Sequence, residues 1–323
     1  MNKLILATEQ GIVISEYEND VWHESTHGLK DQHVTSVIAR EGVILAGTED
    51  GLFRSENEGR AWEQASNGLT VRHVRWMAFH PDISDFEFAG TEPANIFISH
   101  NGGESWRGCD EVMALRDQFK WSLPYSPEAG CVRGFAFHGP RVYAAVEVGG
   151  VLVSNDNGET WGLAEGSDGK PDLEGPPEPF VYPDVHSLET HSSSPDLVYA
   201  PTGGGFYRSY DGGKTWKLFY DCYCRAVWVD PNEPAHLILS PADGVDRNGR
   251  IEESRDGGET WSLASNGLQV PWRRGMVERF FQADDELFAV LSTGQLLSAS
   301  LSTLEWKRIL PNINNINAIT KMV

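Results

Sequence analysis

Seven tryptophans divide this chain into near-equal lengths. Trp22, Trp62, Trp106, Trp161, Trp216, Trp261 and Trp306 are separated by 40, 44, 55, 55, 45 and 45 residues. Five of them close one short motif: SENEGRAW at 55–62, SHNGGESW at 99–106, SNDNGETW at 154–161, SYDGGKTW at 209–216 and SRDGGETW at 254–261. Eroded copies flank these, SEYENDVW at 15–22 and SASLSTLEW ending at Trp306. The motif has a mechanical reading. Its third-position Asn or Asp can hydrogen-bond amides of its own turn. Its fifth-position glycine supplies a positive φ that a side chain disfavours, and Ser and Thr complete local backbone contacts. The tryptophan then begins a returning strand and buries its indole between hairpins.

A repeat of this length is one blade of a propeller. Upstream of each motif the same order recurs: an apolar strand, a turn, a second strand, a Gly-rich turn and a third strand. The second unit shows it as HVTSVIA at 33–39, VILAGT at 43–48 and GLFRS at 51–55. Later first strands read VRWMAF at 74–79, VRGFAF at 132–137, VHSLET at 185–190, CRAVWV at 224–229 and RGMVERF at 274–280. The first unit lacks this strand, because LILAT at 4–8 already has the second-strand pattern; the missing piece is INAITKMV at 316–323. Pairing of the C-terminal strand with the N-terminal one would close the ring and leave no free sheet edge at the seam. The sequence therefore predicts an all-β, seven-bladed β-propeller of four-stranded antiparallel blades. It is read as a single domain over 1–323, its first blade built from 1–29 plus 315–323.

The pattern S-x-D-x-G-x-T-W resembles the Asp-box, or bacterial neuraminidase repeat. That repeat occurs in sialidases, xyloglucanases, sortilin-type receptors and a photosystem II assembly factor. The resemblance covers essentially the whole chain and specifies fold rather than activity. It implies that each box joins the two outer strands of its blade, away from the ligand face, in a structural role.

The chain carries a formal net charge of −21. Such a surface repels a phosphate backbone, which argues against general nucleic-acid binding. The N-terminal apolar run is broken at Thr8, Glu9 and Gln10, without the core of a secretory signal, and no stretch approaches the roughly 20 apolar residues of a membrane span. The expectation is a cytoplasmic, monomeric protein without membrane contact. Cys109, Cys131, Cys222 and Cys224 then default to reduced thiols, with a disulfide across Cys109 and Cys131 as the alternative. No C-x-x-C spacing occurs, so neither a metal nor a cofactor is expected.

The links at 107–130 and 163–184 are long and fall on the face where the innermost strands begin, so they read as rims or lids near the axis. His80 and His138 follow innermost strands on the opposite face and read as turn chemistry. Aligning the innermost strands gives a column facing the axis just inside the first face: Thr35, Arg75, Arg133, His186, Arg225, Arg274 and Asn317. Guanidinium groups hold carboxylates and phosphates in bidentate geometry, which makes Arg75, Arg133, His186, Arg225 and Arg274 candidate ligand-binding residues. Of these, Arg225, Arg274 and His186 are expected to form the anion clamp. A second column, Glu9, Glu49, Glu92 and Glu147, tops the neighbouring strands. It offers cross-strand partners for Arg75 and Arg133 and so a purely structural alternative.

Three functions fit. One is a hydrolase or lyase acting on an acidic sugar. Sialidases, which the repeat resembles, grip a carboxylate with three arginines and use a tyrosine–glutamate nucleophile with an aspartate acid; their R-I-P signature is absent here. A uronate lyase would need arginine plus a proton-moving His or Tyr, for which His186 with Tyr125, Tyr182 or Tyr223 are candidates. A glycosidase would need paired carboxylates such as Glu147 and Asp243. The second function is a non-catalytic binder, as in the resembling assembly factor, holding an anionic peptide segment or metabolite. The third is a scaffold. A small anionic ligand or acidic sugar in the axial pocket is the favoured expectation.

Overall fold

The computed structural model describes residues 3–126 and 129–322. Met1, Asn2 and Val323, which the ring-closure reading included, lie outside the described residues, as do Pro127 and Glu128. Seven four-stranded antiparallel sheets are arranged as blades around one axis. In six of them the strands run from inner to outer in chain order. In the first blade the inner strand is C-terminal: Ile316–Lys321 pairs with Lys3–Thr8, placing Ile319 opposite Leu6. The ring is closed by the two ends of the chain. Second strands such as Lys3–Thr8, Val43–Thr48 and Glu286–Leu291 are buried along nearly their whole length. Neighbouring blades cover both of their faces, so the strands read as continuous apolar runs rather than alternations.

Each well-preserved box links the third and fourth strands of its blade. In the box at 209–216, Ser209 Oγ donates to Asp211 Oδ1 at 2.8 Å and accepts from the Gly213 amide at 2.8 Å, while Asp211 Oδ1 accepts from the Thr215 amide at 2.8 Å. Glycine at the fifth position answers two demands at once. Gly158 has φ +90°, and a Cβ there would lie 2.3 Å from Phe88 of the preceding blade. The motif tryptophans Trp106, Trp161, Trp216 and Trp306 are buried between blades. Trp261, expected to be buried, is only partly so; Phe206 and Tyr220 cover its ring, but the short outer strand Ser262–Leu263 beside it is exposed.

Two inner strands differ from the sequence reading. In blade 5 the strand is Glu189–His191, and Val185 makes only an isolated bridge to Thr202. In blade 7 it is Val277–Ala283 rather than a strand from Arg274. The link at 107–130 contains a helix, Asp110–Phe119, whose first turn carries Asp110 and Glu111 where the helix dipole favours acidic groups. Glu111 accepts the Trp161 amide at 3.0 Å. The Trp121 indole donates to the Gly169 carbonyl at 2.9 Å, which joins the two long links. No helix among the described residues is long and apolar enough to cross a membrane. All four cysteines are free, so the Cys109–Cys131 disulfide is not formed.

Candidate functional site: an axial cavity

Inner strands enter the ring through β-bulges, which leave one residue unpaired and re-aim its side chain. Val34 faces Thr48 and Ser36 faces Gly47, so Thr35 is the extra residue. The same count singles out Arg75, Arg133, Glu278 and Asn317, and the blade 6 irregularity contains Arg225. All six line a cavity of about 580 Å³ on the axis. In blade 5 the corresponding residue is His186, 2 % exposed and outside that lining.

The blade 7 position of the column is corrected by this geometry. Arg274 is exposed, precedes the strand and does not line the cavity. Aligning RGMVERF on its first arginine misplaced the register; V-E-R-F is the segment that matches V-R-W-M, and it brings Glu278 to the axis. A carboxylate stands where a fourth column arginine was expected.

The column cations are largely neutralised. Arg75 Nη1 lies 3.3 Å from Glu92 Oε2, and Arg133 Nη1 lies 3.0 Å from Glu147 Oε2. Arg133 Nη2 reaches Glu278 Oε2 at 3.2 Å, and Arg225 pairs with the other Glu278 oxygen. Glu49 instead faces His33 at 2.9 Å, and Glu9 accepts from Asn315 at 2.7 Å. Burial opposes ionisation of Glu147, but Arg133, His186, the Cys131 thiol and the Tyr125 hydroxyl overcome it and hold the carboxyl at about 2. Burial likewise opposes ionisation of Glu278, and Arg225 and Arg133 bring it below its ordinary value.

Arg279, adjacent in sequence to Glu278, is different. Its guanidinium lies over the Trp76 ring, 4.2 Å from the centroid, and lines both the axial cavity and a deeper chamber of about 180 Å³. Burial, reinforced by Arg133, pulls it down to about 9 despite Glu278 nearby. Among the described residues it has no carboxylate within 4 Å.

The proposed catalytic candidates separate. Tyr125 lines the cavity. His186 Nε2 and Tyr223 Oη are 3.3 Å apart but lie outside the cavity lining, with burial pushing the Tyr223 phenol up to about 12. The Tyr182 hydroxyl donates to the Leu173 carbonyl at 2.7 Å and holds the 163–184 link. Asp243 lies outside the cavity lining, bound by Asn248 at 2.9 Å and Arg250 at 3.5 Å. Glu147 and Asp243 therefore do not face one another across the cavity, and the glycosidase pair expected from sequence is not assembled there.

The BNR/Asp-box repeat matches residues 207–218. The chain is a seven-bladed β-propeller that carries a BNR/Asp-box repeat. Its fold is similar to that of an ancestral GH74 enzyme, with a TM-score of 0.62 and 18% identity over 90% of this chain and 38% of that one. YCF48 bound to D1 peptide gives 0.61 and 15% over 91% and 87%, and YCF48 from Cyanidioschyzon merolae gives 0.63 and 12% over 92% and 90%. The propeller thus spans less than half the length of the GH74 enzyme. At these identities the likeness is one of fold. No curated protein matches the chain in sequence.

Sequence reasoning missed Glu278, Arg279 and Asp184 in this propeller. The first two were legible as V-E-R-F, had the last unit been aligned on its valine. Asp184 belongs to a link without periodicity, and no motif marks it.

Proposed function

We propose that this protein binds a small ligand carrying a carboxylate in its axial cavity, with Arg279 as the principal cationic contact. The observation that carries this reading is an imbalance. Arg75, Arg133 and Arg225 rest on Glu92, Glu147 and Glu278, whereas Arg279 faces the same cavity without a partner of its own. A half-buried guanidinium without a carboxylate partner gains when an anion meets it, and a carboxylate matches its fork in bidentate fashion. One guanidinium without a carboxylate of its own suits a monoanion. The volume lies within the range of small-molecule sites, and an acidic sugar is the favoured ligand. Binding rather than catalysis is the reading supported best, because Glu147 is engaged by Arg133 and the His186–Tyr223 pair is set back from the cavity.

A second reading has an anionic peptide segment over the same cavity. It is favoured by the match to YCF48, solved with a D1 peptide, along 87% of that chain. Titration calorimetry with a uronate, phosphate and an acidic peptide separates the two. The uronate should bind the wild type and Arg274→Ala alike, and at least about tenfold more weakly to Arg279→Met, a loss of ~1.4 kcal/mol. Tighter binding of the peptide than of the uronate favours the second reading. Equal binding by Arg279→Met, or none by the wild type, overturns both.

A further inference from the structure

We propose that Glu147, Asp184 and His186 form a site for a divalent transition-metal ion of the zinc type, adjoining the axial cavity. One donor atom from each lies within 4.8 Å of the other two. His186 Nε2 and Asp184 Oδ2 are 3.2 Å apart, close to the ~3.4 Å edge of a tetrahedron built with metal–ligand bonds of about 2.1 Å. Asp184 and His186 stand two residues apart where the 163–184 link enters blade 5, and Glu147 comes from the end of strand Arg141–Glu147.

The orientation of His186 is informative. Its Nδ1 lies 2.8 Å from the Cys224 carbonyl oxygen, which can only accept, so Nδ1 carries the hydrogen and Nε2 is turned toward the carboxylates. Metal-binding histidines are commonly fixed in this way, through a backbone carbonyl on the far nitrogen. Two carboxylates and an imidazole lone pair then converge on one small volume, an arrangement that needs a positive charge at its centre. Arg133 serves Glu147 from outside but is shared with Glu278. Asp184 has no lysine or arginine within 4 Å among the described residues, and its Oδ1 is buried without a hydrogen-bond partner.

The donor set selects the ion. One imidazole and two carboxylates suit zinc and its first-row neighbours better than calcium or magnesium, which prefer all-oxygen shells. The Cys131 thiol donates to Glu147 Oε2 at 3.2 Å and supports that carboxylate from outside the site. The Tyr223 hydroxyl, 3.3 Å from His186 Nε2, or a water completes the fourth position.

The test uses the full chain, stripped with a chelator and titrated with Zn²⁺ against a chromogenic competitor. One equivalent should bind, and Asp184→Asn and His186→Gln should each weaken it at least about tenfold without lowering the melting temperature of the metal-free protein. Cys222→Ser and Cys109→Ser should bind as the wild type does, and Co²⁺-loaded protein should lack a thiolate charge-transfer band. Arg279→Met should keep the metal, which separates this site from the axial anion. Should His186→Gln fail to fold, Asp184→Asn alone decides. The proposal is overturned if the stripped protein takes up no zinc. Zinc that persists in Asp184→Asn, or disappears in Cys222→Ser, overturns it equally.

Discussion

Glu278 reaches across the propeller axis: its Oε2 lies 3.2 Å from Arg133 Nη2, and its other oxygen pairs with Arg225. Blade 7 is thereby tied to blades 4 and 6 at the centre of the ring. Replacing Glu278 with Gln keeps the shape and removes the charge. Arg225 then loses its close carboxylate, and breaking such a pair costs about 3 kcal/mol, measurable by urea denaturation. The same change leaves the cavity more positive, so carboxylate affinity should rise while stability falls. Stability and affinity that both remain unchanged contradict this picture of the axis.

Arg75 and Arg274 should behave differently although both were placed in one column from sequence. Arg75→Ala leaves Glu92, 5 % exposed, without its guanidinium, and should cost about 1–3 kcal/mol. Arg274→Ala removes an exposed side chain and should stay within about 0.5 kcal/mol of wild type. Equal melting temperatures for the two variants would refute the corrected register.

Much of this was legible beforehand, for identifiable reasons. Blade number followed from the tryptophan period. Ring closure followed from LILAT lacking a partner strand and INAITKMV supplying one. The cross-strand pairs Arg75–Glu92 and Arg133–Glu147 followed from aligned strand ends. Blade 7 escaped because RGMVERF offers two arginines, and only the bulge decides which side chain is re-aimed. Blade 5 escaped because its inner strand is short and begins late. The helix Asp110–Phe119 has one buried residue, Val112, so its apolar stripe is too thin to read.

The boxes give a graded stability series. Trp216→Ala should cost ~3–5 kcal/mol through the cavity it leaves. Asp211→Ala should cost about 1 kcal/mol, since it removes only local turn bonds. Trp261→Ala should cost less than Trp216→Ala, because its indole is partly exposed. Chemical denaturation ranks the three, and a Trp261 variant weaker than the Trp216 variant would contradict the burial argument.

Glu87 gives a pH signature. It is 1 % exposed, and burial pushes its carboxyl up from 4.5 to about 7. The folded state therefore holds this proton more tightly than the unfolded chain. Its contribution is most favourable below about 4.5 and declines as pH rises to about 7, a change of at most about 3 kcal/mol. Glu87→Gln should remove that decline, so its stability advantage over wild type should grow between pH 4.5 and 7 and then level off. Parallel stability curves for the two proteins would show that Glu87 does not titrate in this window.

The claim that Arg279 awaits an anion is tested most directly in a crystal soaked with a brominated carboxylate and measured at the bromine edge. The account predicts an anomalous peak in the axial cavity, with the carboxylate on the Arg279 guanidinium beside Trp76. A peak only at exposed arginines such as Arg274, with Arg279 still unpaired over Trp76, would contradict it.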